Sequence, residues 1–133
     1  MIQFVKAKRT LLISGTKEDR YVAKIFRAPD TSLDAIAKEI SHATSVSYPD
    51  VVAALKAFEI HVSNAIMKGS AVKFGALGSF IPAIRSKAVR KSDDVDADIV
   101  KRITCRFYPS SAFRNDMKSC PLEYRDLNSV KHV

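Results

Sequence analysis

The sequence predicts a mixed α+β fold, because helical and strand periodicities occupy different parts of the 133-residue chain. Two apolar stripes in helical spacing, each preceded by a capping serine, fill the middle of the chain. Strand-like alternation precedes and follows them, and a compact glycine turn at residues 75–80 separates two of the later strands. The length suits one ordinary domain, and 47% apolar with 27% charged residues is typical of globular proteins.

The first thirty residues predict a β-hairpin. Residues 2–8 and 20–27 read as strands, and residues 11–13 extend the first of them. The polar, turn-rich stretch 14–19 lies between them, so the two strands should pair antiparallel.

Two helices should follow. Thr31 or Ser32 is a suitable N-cap for the first, which should end near Thr44. Ser47 caps a second helix of some twenty residues, and Gly69 is expected just beyond its end, where a left-handed conformation is common.

The second helix carries more apolar surface than one small sheet could cover. That excess predicts a second copy of the chain packed against it, although the N-terminal hairpin could instead cover part of it. The predicted dimer interface consists of the large residues of the helix stripe and the first aromatic residue after the glycine turn: Val51, Leu55, Phe58, Val62, Ile66 and Phe80.

Three short strands and a closing helix are expected after Gly69. The alternating positions are 72, 74 and 76, then 80, 82 and 84, then 103, 105 and 107. Cys105 would be a core thiol in the last of these strands. Ser110 and Ser111 are placed to cap a short final helix.

The net charge of +8 is unevenly distributed. Residues 1–27 and 70–119 each carry a net charge of +5, whereas residues 28–69 carry −2. Such a field attracts polyanions.

Two cysteines and three histidines show no metal-ligand spacing, so we expect no metal. No apolar run is long enough to span a membrane. The protein is expected to be cytoplasmic.

The order of elements resembles the HU/IHF family of histone-like DNA-binding proteins. A glycine corner at residues 76–80 stands where that family has Gly-Phe-Gly-Thr-Phe. The matching residues are Ile36, Ala37, Ser47, Val52, Ala54, Leu55, Ala57, Phe58, Gly69, Val72, Gly78, Ser79, Phe80, Arg85, Pro109, Phe113 and Lys118. The additional N-terminal strands are similar to those of a longer branch found in Bacteroidetes.

The resemblance implies an IHF-like fold with two helices packed under a three-stranded antiparallel sheet, from which a basic arm extends. The N-terminal β-hairpin is an addition. It also implies three segments: an extension at residues 1–30, a DNA-binding domain at 31–119 and a C-terminal tail at 120–133. The expected partners are double-stranded DNA of the nucleoid and a second copy of the chain, with no cofactor or small-molecule substrate.

The expected DNA contacts are basic residues on either side of the arm: Arg85, Lys87, Arg90, Lys91, Lys101, Arg102 and Arg106. The arm itself departs from the family. Family members carry a proline there that wedges between base pairs, whereas this chain has no proline between Pro82 and Pro109. Phosphate contacts should therefore dominate, with little sequence preference.

Four aspartates occupy the predicted arm, at positions 93, 94, 96 and 98. One interpretation is that Ser92 caps a short helix whose first turns hold the acids and whose end holds Lys101 and Arg102, leaving the cations free for phosphates. Alternatively, the arm's charges pair with one another.

A rival hypothesis keeps the fold but not the DNA. The acidic segment and the N-terminal hairpin would then be protein-binding surfaces, through strand addition at an open edge. An enzyme is not expected, because no nucleophile–base constellation and no phosphate-binding glycine loop is found.

Overall fold

The computed structural model describes residues 1–127, and its elements confirm an α+β protein. In chain order they are β1 (Ile2–Ile13), β2 (Thr16–Phe26), α1 (Leu33–Ala43), α2 (Tyr48–Met67), β3 (Val72–Lys73), β4 (Gly78–Ser86), two 3-10 turns (Ser92–Asp94 and Ala97–Ile99), β5 (Val100–Pro109), α3 (Ser111–Lys118) and β6 (Leu122–Tyr124). They form two compact units. Among the described residues, we call Met1–Asp30 with residues 116–127 the hairpin unit, and Thr31–Asn115 the central unit.

The hairpin unit is a three-stranded sheet of order β2-β1-β6. β1 and β2 pair antiparallel through a two-residue turn, in which Ser14 and Gly15 have φ of 52° and 80°. Positive φ at both positions matches the natural twist of a tight hairpin. The predicted hairpin is therefore confirmed, with longer strands and a tighter turn.

Strand β6 was not predicted. It lies in the stretch that the sequence assigns to a C-terminal tail, and it pairs parallel with the start of β1. The Ile2 amide donates to the Pro121 carbonyl, and the Arg125 amide donates to the Phe4 carbonyl. Residues 128–133 of the expected tail lie outside the described residues.

The predicted caps of α1 and α2 are confirmed. The hydroxyl of Ser32 accepts from the Ala35 amide at 3.1 Å, and that of Ser47 accepts from the Asp50 amide at 3.4 Å. Gly69, with φ of 88°, follows the end of α2. Each capping oxygen satisfies an amide that would otherwise lack a partner in the first helical turn.

The central unit contains an antiparallel sheet of order β3-β4-β5, and α2 packs against β3 and β4. β3 is shorter than the alternation at 72, 74 and 76 suggests. The amide of Phe74 donates to the Gly78 carbonyl at 2.7 Å, so the chain already turns there. α3 follows β5, and the Phe113 amide donates to the Ser110 hydroxyl at 3.0 Å, as expected for its cap.

Gly78 fixes the start of β4. It is buried with φ of 151°, and a Cβ at this position would collide with the backbone oxygen of Tyr108 and approach the Phe107 ring within 2.9 Å. Only glycine combines this backbone with such a close approach of the neighbouring strand. The glycine corner therefore holds the register between β4 and β5.

Few side chains are buried. Ala37 and Val51 are the only buried hydrophobic residues in the part of the chain that the structure describes. A chain of phenylalanine rings joins α2 to the sheet instead. Its successive ring centroids lie 4.8–5.4 Å apart, in the order Phe58, Phe74, Phe80 and Phe107.

One polar contact links the first turns of the two helices. The Tyr48 hydroxyl donates to the Asp34 carboxylate, and this bond lowers the pKa of Asp34 below its ordinary 3.8 and raises the pKa of Tyr48 above its ordinary 10.0. A lowered carboxyl pKa stabilises the fold above the unfolded pKa, and this contribution is lost as pH falls through the folded pKa. For Tyr48 the contribution is lost as pH rises through its raised pKa.

We therefore predict that Tyr48→Phe lowers the melting temperature at neutral pH. The difference from the parent protein should shrink as pH falls through the lowered pKa of Asp34, and again as pH rises through the raised pKa of Tyr48, because the hydrogen bond is lost in both cases. Thermal unfolding followed by circular dichroism across pH measures this. Tyr21→Phe, on an exposed side chain, is the control, and a Tyr48→Phe deficit independent of pH would contradict the assignment.

Candidate nucleic-acid interface

The register of β4 and β5 gives their sheet two different faces. Directly paired residues share a face, and successive residues of a strand alternate between faces. One face carries three apolar pairs: Phe80 with Phe107, Pro82 with Cys105, and Ile84 with Ile103. This is the face against α2, as the ring contacts through Phe80 show. The alternation predicted for these strands is confirmed.

The opposite face, which we call the cationic face, carries Lys73, Arg85, Arg102 and Arg106. Arg85 pairs directly with Arg102, Arg106 pairs with Ile81, and Lys73 pairs with Ser79. All four basic side chains belong to exposed residues. The pairing thus aligns them along the side of the sheet that faces away from α2.

Arg85 and Arg102 form a like-charged cross-strand pair. Like charges placed directly opposite each other destabilise a sheet unless an anion lies between them. Among the described residues, ion pairs join other groups, and none involves a residue of the cationic face. The two guanidinium groups therefore keep their hydrogen-bond donors available for a polyanion.

The remaining predicted contacts lie where the strands end. A bulge interrupts the pairing after Arg85, so that Ser86 pairs with Val100 and Lys101 has no direct partner in the register. The Lys87 amide still donates to the Ile99 carbonyl at 2.9 Å, which closes the base of the connecting segment. The connection also carries Arg90 and Lys91, both exposed.

The predicted helix between Ser92 and Arg102 is wrong. Two separate 3-10 turns occupy part of that stretch, and Lys101 and Arg102 belong to β5. Ser92 lies inside the first turn, whose N-cap is Lys91 and which has no side-chain capping bond. Asp96 instead caps the second turn, accepting from the Asp98 amide at 3.0 Å. Aspartate side chains that accept from nearby amides, as Asp96 does, compete with helical hydrogen bonds and favour short turns.

The aspartates of the connection do not neutralise the cations around them. Within residues 1–127, the ion pairs include none between the predicted DNA contacts and Asp93, Asp94, Asp96 or Asp98. The alternative in which the arm's charges pair with one another is therefore not what the structure contains.

Sequence reasoning missed Lys73. Its strand has only two residues, and its position on the cationic face follows from pairing with Ser79 rather than from any local pattern. The alternation of Val72 with Lys73 covers two residues only, which is too short to identify a strand or the strand beside it.

An apolar groove lies between α2 and the apolar face of the sheet. Five of the six residues predicted for a dimer interface line it: Leu55, Phe58, Val62, Ile66 and Phe80. Val51 is separate from them, because it is only 6% exposed and already buried within the chain. Cys105 also lines the groove and is exposed, so the prediction of a core thiol does not hold for the single chain.

Two other kinds of site find no support in residues 1–127. No group of three or more His, Cys, Asp or Glu side chains there could hold a metal ion. None of the described helices has the length and apolar character needed to cross a membrane.

Comparison with known proteins identifies the family. A family model, HU-HIG, described as an HU domain fused to a wHTH, Ig or glycine-rich motif, matches residues 2–123. The chain belongs to this HU family, which confirms the resemblance at that level. The similarity to a Bacteroidetes branch stays a prediction. No curated protein matches the chain.

One solved structure with a similar fold is the crystal structure of a candidate bacterial DNA-binding protein from Bacteroides vulgatus. It has a TM-score of 0.64 and 15% sequence identity, and the match covers 92% of the present chain. The chain spans 47% of the length of that protein. At this identity the likeness concerns the fold alone.

The like-charged pair leads to a stability prediction. Arg102→Gln should raise the stability of the free protein by about 0.5 kcal/mol or less at low salt, because it removes the repulsion with Arg85. High salt should erase the gain, since it screens exposed charges. Arg106→Gln is the matched control, because its cross-strand partner is Ile81. Thermal melts at both salt concentrations measure the effect, and equal shifts in both variants would refute it.

Proposed function

We propose that this protein is a dimeric architectural DNA-binding protein of the nucleoid, which contacts the phosphate backbone with low sequence specificity. Its role is binding rather than catalysis. The expected contacts are the arginines of the cationic face, with Lys73, Lys87, Arg90, Lys91 and Lys101 around them. Membership of an HU family supports a DNA partner.

The direct pairing of Arg85 with Arg102 is the observation that carries the proposal. An exposed sheet gains nothing from two neighbouring guanidinium groups in the absence of a ligand. A phosphate placed between them can accept charge-assisted hydrogen bonds from both. Arg106 and Lys73 lie on the same face, so successive phosphates of one backbone could be contacted along the strands.

Low sequence specificity follows from the kind of contact. Arginine and lysine side chains that reach phosphates position a protein on DNA but read no base edges. A proline wedge of the kind found in the HU/IHF family is absent from the sequence between Pro82 and Pro109. Neutralisation of phosphates would then supply most of the affinity.

The dimer is supported by the apolar surface that the chain leaves unburied. Phe58 is 49% exposed in the single chain although its ring contacts Phe74. A second copy supplies a groove of the same chemistry, which suits a symmetric, self-complementary interface.

The DNA proposal predicts strongly salt-dependent duplex binding. The double variant Arg85→Gln/Arg102→Gln should weaken binding at every sequence tested and lower the slope of log affinity against log salt by about two, because each arginine neutralises about one phosphate. Fluorescence anisotropy with labelled duplexes across a salt series measures both quantities.

Lys56→Gln is the matched control, because this lysine lies on α2 and pairs with Glu59 at 3.8 Å. It should leave both the affinity and the salt slope nearly unchanged. Duplex affinity that does not depend on salt, or that Lys56→Gln lowers as much as the double variant does, would rule out the cationic face. Absence of duplex binding at low salt would favour the protein-interaction alternative.

The dimer proposal predicts that Cys105 becomes protected as protein concentration rises. In a Cys120→Ser background, alkylation of Cys105 should slow several-fold across the range in which sedimentation reports dimer formation, because the groove that it lines becomes covered. Cys120, alone in a Cys105→Ser background, should react at a rate that does not change with concentration. Constant Cys105 reactivity across that range would contradict a dimer through this groove.

A further inference from the structure

The hairpin unit has a second aromatic and basic surface, which the proposed function does not use. In the register of its sheet, Phe4 pairs with Ile25 on one side and Tyr124 on the other, while Lys8 pairs with Tyr21. Even-numbered residues of β1 share one face with these partners. We call this surface the tyrosine face and define it by Phe4, Lys6, Lys8, Tyr21 and Tyr124.

Each tyrosine of this face has a lysine beside it. Lys6 Nζ lies 4.9 Å from the centroid of the Tyr124 ring, and Lys8 is the cross-strand partner of Tyr21. Tyr124 also contacts Phe4, with ring centroids 5.8 Å apart. Tyr21 is 72% exposed, and Tyr124 is 48% exposed although the Lys6 ammonium lies over one side of its ring, so both present some ring surface to solvent.

The two tyrosine–lysine pairs are separated along the sheet. Ile25 and Tyr124 both pair with Phe4, so they lie at the same level of the sheet. Tyr21 is four residues from Ile25 along β2, so the two tyrosines are separated by about 13 Å in the strand direction. A chain of bases running along β1 would therefore meet one aromatic ring near each end of the face.

Cations outnumber acids on this face. Lys17 lies on the same face as Lys6 and Lys8, because it pairs with Leu12. Two carboxylates lie near these three lysines: Asp19, which the register of β1 and β2 places on this face, and Asp126, which lines a shallow pocket with Lys6 and Tyr124. Asp19 forms an ion pair with Lys8 at 3.0 Å and accepts a hydrogen bond from the Thr10 hydroxyl at 2.9 Å. With three lysines against two carboxylates, the face carries a small positive charge, and Lys17 is the lysine farthest from Asp126 along the sheet.

We propose that the tyrosine face binds single-stranded nucleic acid, with bases stacked on Tyr21 and Tyr124 and phosphates contacted by Lys6, Lys8 and Lys17. Exposed aromatic rings interleaved with cations are the combination that binds single strands, because every base has a face on which a ring can stack. A duplex keeps its base faces covered by neighbouring base pairs, so the rings distinguish a single strand from a duplex.

The opposite face of the same sheet offers a contrast. Its aromatic ring, Phe26, is covered by the guanidinium of Arg125 at 4.2 Å, and Arg125 also donates to the Gln3 side chain. Val22 and Lys24 lie on that opposite face, because residues of β2 alternate between the two faces of the sheet. They supply control positions on the same strand, and both are exposed, although Val22 at 38% is less exposed than Tyr21 at 72%.

The test uses the full chain with labelled oligo(dT), oligo(rU) and a duplex of mixed sequence. Tyr21→Leu should weaken oligo(dT) binding by about tenfold, because it keeps an apolar side chain but removes the stacking ring, while Tyr21→Phe should retain binding. Asp19→Asn should tighten it, since a carboxylate that repels phosphate is removed. The two single strands distinguish a DNA ligand from an RNA ligand.

Controls separate this site from the cationic face. Val22→Ser and Lys24→Gln should leave oligo(dT) binding within about twofold, and Tyr21→Leu should leave duplex affinity unchanged. Conversely, Arg85→Gln/Arg102→Gln should weaken the duplex and spare oligo(dT). The experiment can therefore disprove duplex binding by the cationic face while confirming single-strand binding by the tyrosine face, or the reverse.

Several results would overturn the proposal: no oligo(dT) or oligo(rU) binding by the parent protein, equal losses in Tyr21→Leu and Tyr21→Phe, or equal losses in Tyr21→Leu and Val22→Ser. A fourth is self-association through this face, seen by sedimentation as an assembly that Tyr21→Leu abolishes without any change in single-strand binding. Because Tyr21 is largely exposed, its variants should fold, and circular dichroism verifies this for each.

Discussion

The apolar groove between α2 and the sheet is the constraint on which the central unit depends. A run of phenylalanine rings from Phe58 to Phe107 joins helix and sheet, yet its members remain partly accessible to solvent. Hydrophobic burial is the main favourable term in folding, and it opposes the loss of conformational entropy. A unit that leaves this apolar surface in water therefore has a small free energy of unfolding. Association through the groove would then contribute to stability directly, and the folded fraction would depend on protein concentration.

The same groove determines where the charges point. Because side chains alternate along a strand, assigning Phe80 and its neighbours to the helix side places Arg85, Arg102 and Arg106 on the other side. A register slip of one residue would exchange the two sets. Gly78 opposes such a slip at one end of the pairing, and the bulge after Arg85 marks the other. The packing against α2 and the position of the arginines are therefore two consequences of one register.

The sequence predicts well those features that depend on neighbouring residues. The caps at Ser32, Ser47 and Ser110 and the alternation of β4 and β5 are local patterns, and the structure confirms them. Strand β6 is different, because its pairing joins Ile2 to Leu122 and no local signal identifies a three-residue strand. The position of Lys73 on the cationic face depends in the same way on a cross-strand pairing. The predicted helix after Ser92 failed because competing aspartate side chains favour short turns there.

The connection between β4 and β5 limits how DNA could be held. Its aspartates repel phosphates, and the carboxylate of Asp96 is already used to cap a 3-10 turn. With no proline in this segment, a wedge between base pairs of the kind described for HU/IHF proteins has no counterpart. In the proposed DNA complex, the binding energy would come from the cations at the base of the segment and on the sheet, through phosphate neutralisation rather than unstacking. Any bending of a duplex would follow from wrapping along the cationic faces of two copies, so that its extent is governed by charge and salt.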